Sequence, residues 1–317
     1  MYRDDNTAYS TANQRSVFQR LIRWLPVVIM VLLLLVFVGS WLMASALVKP
    51  TRFDVGDLPE DLPGQTIQLV SASGATLTGW DIPAPNTAQP DDTNLAEAAG
   101  SGVIVLLHGI RGSRISMRAR ARWLHSLGYA TVLIDFQAHA TSSGDHITIG
   151  YRERHDVLAV VDYVTQTYPG QPLGMIAVSM GGAAALLAQP RAVDALVIES
   201  TYPDLERAVY NRVARRLGRL AWLPTQMLLW QLEPRLGFGA DDLRPVDAIG
   251  QWHSPILVLS GEDDPFTPAH ETRELYNAAN SPKSLWLVPG AVHENLFKAE
   301  TQAYQSRVAE FFKRWLR

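Results

Sequence analysis

The chain has 317 residues, 47% of them in the apolar set and 19% charged, with a formal net charge of −3. That length supports one large core plus accessory segments. No basic excess points to a nucleic-acid partner, and the lack of any cysteine excludes disulfides, Cys-ligated metals and a thiol nucleophile.

In chain order, residues 1–23 are polar, with Asp4, Asp5, Asn6, Thr7, Ser10, Thr11 and Asn13 among them, and read as a disordered tail. Trp24–Val48 carries no charge. As a helix rising about 1.5 Å per residue it spans roughly 37 Å, more than the ~30 Å of hydrocarbon in a bilayer. It is expected to be a transmembrane anchor. A cleavable signal is the alternative, because Ala44-Ser45-Ala46 resembles an A-x-A processing site. Arg15, Arg20 and Arg23 precede the span, against Lys49 and Arg52 after it. The positive-inside rule then expects an inner (cell) membrane protein with its main domain on the periplasmic or extracytoplasmic side.

Residues 49–63 read as a linker, and 64–317 as the main domain. Thr66–Val70 and Ala75–Ile82 flank Ser73-Gly74 as an expected hairpin, and Pro83–Ser101 reads as a surface loop. Six short apolar runs follow: Val103–Leu107, Ala130–Ile134, Leu173–Val178, Ala195–Ile198, Ile256–Leu259 and Leu285–Val288. Helical stripes separate most of them. Val157, Val160, Val161 and Val164 mark one, and Tyr304, Val308, Phe311, Phe312 and Trp315 another. Strands without alternation, joined by helices, imply a parallel sheet covered on both faces, hence a doubly wound α/β domain. Residues 202–250 interrupt this rhythm with two candidate helices rich in Leu and Trp, which either pack inward or line an acyl pocket.

The chemistry centres on Leu173–Gly182, where an apolar run meets Ala177-Val178-Ser179-Met180-Gly181. A nucleophilic serine on a strand-to-helix turn has strained backbone and needs small neighbours. Serine is a poor nucleophile without a base, itself oriented by a third group. Candidates follow later strands: the acids of Gly261-Glu262-Asp263-Asp264, and His293 in Pro289-Gly290-Ala291-Val292-His293.

These motifs resemble the α/β-hydrolase superfamily from about Thr66 onward. They are closest to its serine aminopeptidase-like and esterase branch and that branch's bacterial membrane-anchored members. Ala177 stands in place of the first glycine of G-x-S-x-G. Asp135-Phe136-Gln137-Ala138-His139-Ala140 resembles a D-x-x-G-H-G loop with both glycines replaced by alanine, and Gly150, the Glu153 or Arg154 region and Asp156 resemble the family's helix start. The resemblance implies an eight-stranded, mostly parallel sheet with 202–250 as a helical cap. It assigns Ser179, Asp264 and His293 as the triad, in the Ser…Asp…His order of that fold, with Glu262 and Asp263 facing solvent, and the amides of Ile110 and Met180 as the oxyanion hole. His108, Gly109, Ala177 and Gly181 have supporting roles, and His139 marks a structural turn. Glu199 is the rival acid, and Ser142 the serine to consider should Ser179 prove dispensable. Arg111 reads as a solvated loop residue or a contact to an anionic leaving group.

The expected activity is hydrolysis of carboxylic esters or thioesters of a small-molecule acyl substrate, with no cofactor. No zinc, EF-hand, Walker A or dinucleotide motif occurs. A peptidase and an inactive anchored binding module are the alternatives. Arg207, Arg212, Arg215, Arg216 and Arg219 suggest that the cap contacts anionic lipid, with an ordinary solvated helix face as the plainer reading.

Overall fold

The computed structural model describes residues 6–85, 102–293 and 296–316, so most of the expected 83–101 loop lies outside the described residues. The chain divides into two units, Met1–Ala46 and Leu47–Arg317.

The described residues of the first unit lie in helix α1, Asn6–Val48. Within it, Arg23–Val48 contains an 18-residue window with a mean hydropathy of 2.8 and is long and apolar enough to cross a membrane or to serve as a signal sequence. Residues 6–23, inside the stretch expected to be disordered, are helical. Residues 6–23 contain neither glycine nor proline, so extending an already nucleated helix backward costs little.

The second unit is built on one eight-stranded sheet. Its strands are β1 (Gln65–Val70), β2 (Thr76–Ile82), β3 (Val103–Leu107), β4 (Ala130–Ile134), β5 (Leu173–Val178), β6 (Ala195–Glu199), β7 (Ile256–Gly261) and β8 (Lys283–Val288). They lie in the order β1-β2-β4-β3-β5-β6-β7-β8. The expected hairpin forms, with Val70 opposite Thr76, and β2 also runs antiparallel to β4. Every other neighbouring pair is parallel.

Every residue of β3, β4, β6 and β7 is buried. Both faces are covered, so neither face needs polar residues, and this explains the absence of alternation in these runs. Val103, Val105 and Leu107 face a core shared with α3 (Glu153–Thr167) and α4 (Met180–Ala188). Ile104 and Leu106 face another, shared with α2 (Arg114–Ser126) and with the last helix, α11 (Thr301–Trp315). The two valine and aromatic stripes pack as their periodicity predicts. Phe312 is wholly buried, so truncating it to alanine should cost about 3–5 kcal/mol.

The cap contains α5 (Leu205–Leu217), a 3-10 turn (Gly218–Ala221), α6 (Trp222–Trp230), α7 (Leu232–Leu236) and α8 (Pro245–Ile249). Helix α9 (Ala269–Ala278) follows β7, and α10 (Leu296–Ala299) precedes α11.

Residues 49–63 are not the free linker expected of them. Thr51 bridges His139, donating its N–H to the Ala138 carbonyl at 2.9 Å and accepting from the Ala140 N–H at 2.7 Å. Val55 and Leu62 are buried. Its prolines and acids suggested a linker, but two apolar anchors and a pair of backbone hydrogen bonds fasten the segment to the domain.

Candidate active site

Ser179 sits between the end of β5 and the start of α4, with φ 51° and ψ −112°. A non-glycine residue in this region is strained, and such strain persists only when the surroundings enforce it. Here they do. The Ser179 N–H donates to the Glu199 carbonyl at 2.7 Å and the Ala183 N–H donates to the Ser179 carbonyl at 3.1 Å. A Cβ on Gly181 would come within 2.8 Å of the His108 carbonyl oxygen, and one on Gly182 within 2.0 Å of Thr201 Oγ1. The small residues after the serine therefore let α4 press against the ends of β3 and β6. Ala177 is wholly buried, and its methyl is accommodated where the family pattern has glycine.

His293 and Asp264 meet. His293 Nδ1 lies 2.7 Å from Asp264 Oδ2. Asp264 is buried while Glu262 and Asp263 are exposed, as the sequence reading expected. The other lone pairs of Asp264 are filled by the N–H groups of Phe266 at 2.8 Å and Thr267 at 3.0 Å, and by the Thr267 hydroxyl at 2.6 Å. Burial alone would raise the Asp264 pKa, but the hydrogen bonds from His293, Thr267 and Phe266 outweigh it and hold the carboxyl below its usual range. Phe266 also stands edge-on to the His293 ring, centroids 5.2 Å apart. Sequence reasoning missed Thr267 and Phe266, although both lie within three residues of the acid. The Ser179 hydroxyl has no hydrogen-bond partner among the described residues, and in a resting site such a bond often tightens only once substrate is bound.

The loop after β3 passes directly beside the serine, since a Cβ on Gly109 would sit 3.4 Å from Ser179 Cβ. Two buried histidines shape it. The Phe136 N–H donates to His108 Nε2 at 3.0 Å, so the His108 proton is on Nδ1, which donates to the Gly109 carbonyl at 2.7 Å. Burial, with the adjacent His139, pushes the His108 pKa down to about 3 and keeps the ring neutral. His139 Nε2 accepts from the Arg111 N–H at 3.0 Å, and its Nδ1–H donates to the Gln137 carbonyl at 2.8 Å. Between these fixed points, the Ile110 N–H has no acceptor among the described residues. The Met180 N–H is the first amide of α4, which an α-helix leaves unsatisfied.

The rival groups are otherwise engaged. Glu199 accepts from Arg120 Nε at 3.1 Å, from Arg120 Nη2 at 2.7 Å and from the Tyr304 hydroxyl at 2.5 Å, all deep in the core. Its carboxylate serves a structural ion pair. Ser142 Oγ donates to the Asp135 carbonyl at 2.6 Å and accepts from the Thr78 N–H at 2.9 Å, so it holds a turn. Arg111 is exposed, with a φ of 60°. Glu153 and Asp156 are buried, and Asp156 accepts the Gln137 N–H at 2.8 Å behind the His139 turn.

A mostly parallel eight-stranded sheet with this elbow and these strand-end loops is the architecture of an α/β-hydrolase. The chain has that fold, and residues 98–235 are similar to the family described as Serine aminopeptidase, S33. It is 29% identical to the uncharacterized protein Rv2307c of Mycobacterium tuberculosis, over 86% of this chain and 89% of that one. It is 26% identical to the mouse lysophosphatidylserine lipase ABHD12, over 60% of this chain but only 48% of the lipase. Among solved structures, the Pyrococcus furiosus esterase Pf2001 superimposes with a TM-score of 0.67 at 23% identity, covering 85% of this chain and all of that one. That likeness speaks to the fold.

Proposed function

We propose that the protein is a membrane-anchored serine hydrolase that cleaves carboxylic esters or thioesters through an acyl-enzyme. The observation that carries this reading is the His293–Asp264 hydrogen bond, which fixes one ring nitrogen and leaves the other to act as a base. Ser179 attacks the carbonyl carbon while His293 Nε2 takes its proton, forming a tetrahedral intermediate. Ile110 and Met180 donate their N–H groups to its oxyanion, each such donor being worth about 3–4 kcal/mol in related chemistry. As the intermediate collapses, His293 gives the proton to the leaving alcohol or thiol. Water then attacks the acyl-enzyme by the same route and frees the acid and Ser179.

The apolar Arg23–Val48 segment acts in this reading as an uncleaved anchor, with the basic residues before it on the cytoplasmic side. The family match to serine aminopeptidases favours one second reading, a peptidase acting on aminoacyl amides. A fluorophosphonate probe should label Ser179 in the wild type and fail in Ser179→Ala. No labelling of the wild type would reduce the chain to an anchored binding module. A panel of acyl esters beside aminoacyl amides then decides between esterase and peptidase.

A further inference from the structure

The cap leaves apolar surface uncovered. Helix α6 is apolar around most of its circumference, and a helix of that kind ordinarily requires burial on every side. Its inner stripe, with Thr225, Leu228 and Leu229, is buried. Its outer stripe is not: Trp222 is 63% exposed and Trp230 65%, eight residues apart on one face. Leu223 joins them, the end of α5 adds Leu217 and the turn adds Leu220, which is 78% exposed. Five large apolar side chains on one short stretch exceed the scattered exposure expected of a protein surface in water.

Three observations say what covers this face. First, no acidic residue occurs between Glu206 and Glu233, while Arg207, Arg212, Arg215, Arg216 and Arg219 all lie in that interval. They do not form one basic face. Arg207 is tied to Asp204 and Glu274, and Arg212 and Arg215 lie over the Phe266 ring. Arg216 and Arg219 are exposed beside the apolar stripe. Second, the exposed aromatics are tryptophans, which favour the bilayer interface. Third, Val48, the last residue of the candidate span, packs into the same cluster as Leu229, Leu232 and Leu236 of the cap. The second unit thus begins beside the cap.

We infer that the outer face of the cap, from Leu217 to Trp230, inserts into the interfacial layer of an anionic lipid surface. The apolar side chains enter the acyl boundary, and Arg216 and Arg219 meet phosphate-bearing headgroups. A substrate held in that surface then reaches the site by lateral movement, which points to amphiphilic esters such as monoacyl lipids. The inference rests on the proposed anchored hydrolase, and its test must separate the two.

The absence of cysteine makes single-site labelling straightforward. Full-length Leu220→Cys and Leu223→Cys variants, each carrying an environment-sensitive fluorophore, are reconstituted in phosphatidylcholine–phosphatidylglycerol vesicles, with Ser306→Cys as the exposed control. Nitroxide-labelled acyl chains should quench the labels at 220 and 223 several times more than the label at 306. Arg216→Glu/Arg219→Glu should cut that quenching severalfold. Equal quenching at all three sites overturns the inference. So does a blue-shifted but unquenched label, which would mean that a second copy of the chain covers the face. Alkaline carbonate extraction reports separately on the anchor. Protein released by carbonate whose cap labels were quenched before release sinks the anchor and leaves the cap contact standing, whereas anchored protein with unquenched labels does the reverse.

Discussion

His108 and His139 stand with ring centroids 5.0 Å apart, and each secures one end of the same three-residue turn. His108 holds the Gly109 carbonyl and His139 the Arg111 N–H, with the Ile110 amide between them. Neither imidazole moves a proton in this arrangement. Both act as neutral positioning groups for a donor that sits beside the serine. His139→Ala should therefore lower kcat by roughly tenfold or more with a smaller change in KM, since a misplaced oxyanion donor is felt mainly in the transition state. Steady-state kinetics on a soluble ester would check this, and a KM effect alone would contradict it.

The acid assignment separates cleanly by mutation. Asp264→Asn should reduce kcat by about 10⁴-fold, because the imidazole loses its tautomer and its countercharge. Glu199→Gln should leave kcat of the folded enzyme within a few-fold while lowering stability by about 3–5 kcal/mol, because Arg120 keeps a buried charge without its partner. Activity and denaturant unfolding measured on both variants would decide the matter. A large kcat loss in the Glu199 variant would revive it as the triad acid.

Thr267→Val tests the support beneath the acid. It removes the 2.6 Å hydroxyl donor to Asp264 Oδ2, the same oxygen that accepts from His293. A single charge-assisted bond of this kind is worth about 1.5–3 kcal/mol, so kcat should fall by roughly ten- to a hundredfold. The pH–rate profile should shift as well, because Asp264 is then less strongly held in its ionised form.

The elbow should resist one added methyl. Gly182→Ala drives a Cβ into Thr201 Oγ1 and should cost about 1–3 kcal/mol of stability. Adding Thr201→Ala should recover part of that loss, a coupling that thermal melts of the four-member cycle would reveal.

Stability should depend on pH through two buried groups of opposite sign. Burial raises the Asp156 pKa to about 7. Between its unfolded value near 3.8 and that point, the native state holds more protons, so Asp156 contributes stability that is lost as pH rises. His108 is depressed from 6.5 to about 3. The unfolded chain then binds the extra proton, so its contribution falls as pH falls through the same interval. The two slopes, each about 1.4 kcal/mol per pH unit, largely cancel. Asp156→Asn removes one of them. Its stability should gain on the wild type by about 1.4 kcal/mol for each unit of rising pH across that window. Unfolding midpoints at several pH values would show it, and parallel curves would refute it.

Much of this architecture could be read before any coordinates. The continuous apolar runs and valine stripes announced a parallel sheet covered on both faces, because burial on two sides leaves a mark on every residue of a strand. The positions of Ser179, Asp264 and His293 behind three such runs, read with the family resemblance, marked a candidate site, because strand-end loops in a parallel sheet converge at one edge. Local chemistry did not determine which of several plausible groups those loops bring together. Glu199 and Ser142 carry suitable atoms, but partners distant in the chain, Arg120 and Tyr304 for one and Thr78 for the other, have claimed them. Thr267 looked like an ordinary loop residue until its hydroxyl was found against Asp264, and the proline-rich 49–63 segment looked free until Thr51 paired with the His139 turn. The outward stripe of α6 was equally hidden, since Leu and Trp have the same letters in a core and on a surface. Sequence encodes the periodicities that cause elements to form and the chemistry available at their ends. Tertiary structure decides how many partners each polar atom finds and which apolar faces remain uncovered, because both depend on contacts between residues that the chain holds far apart.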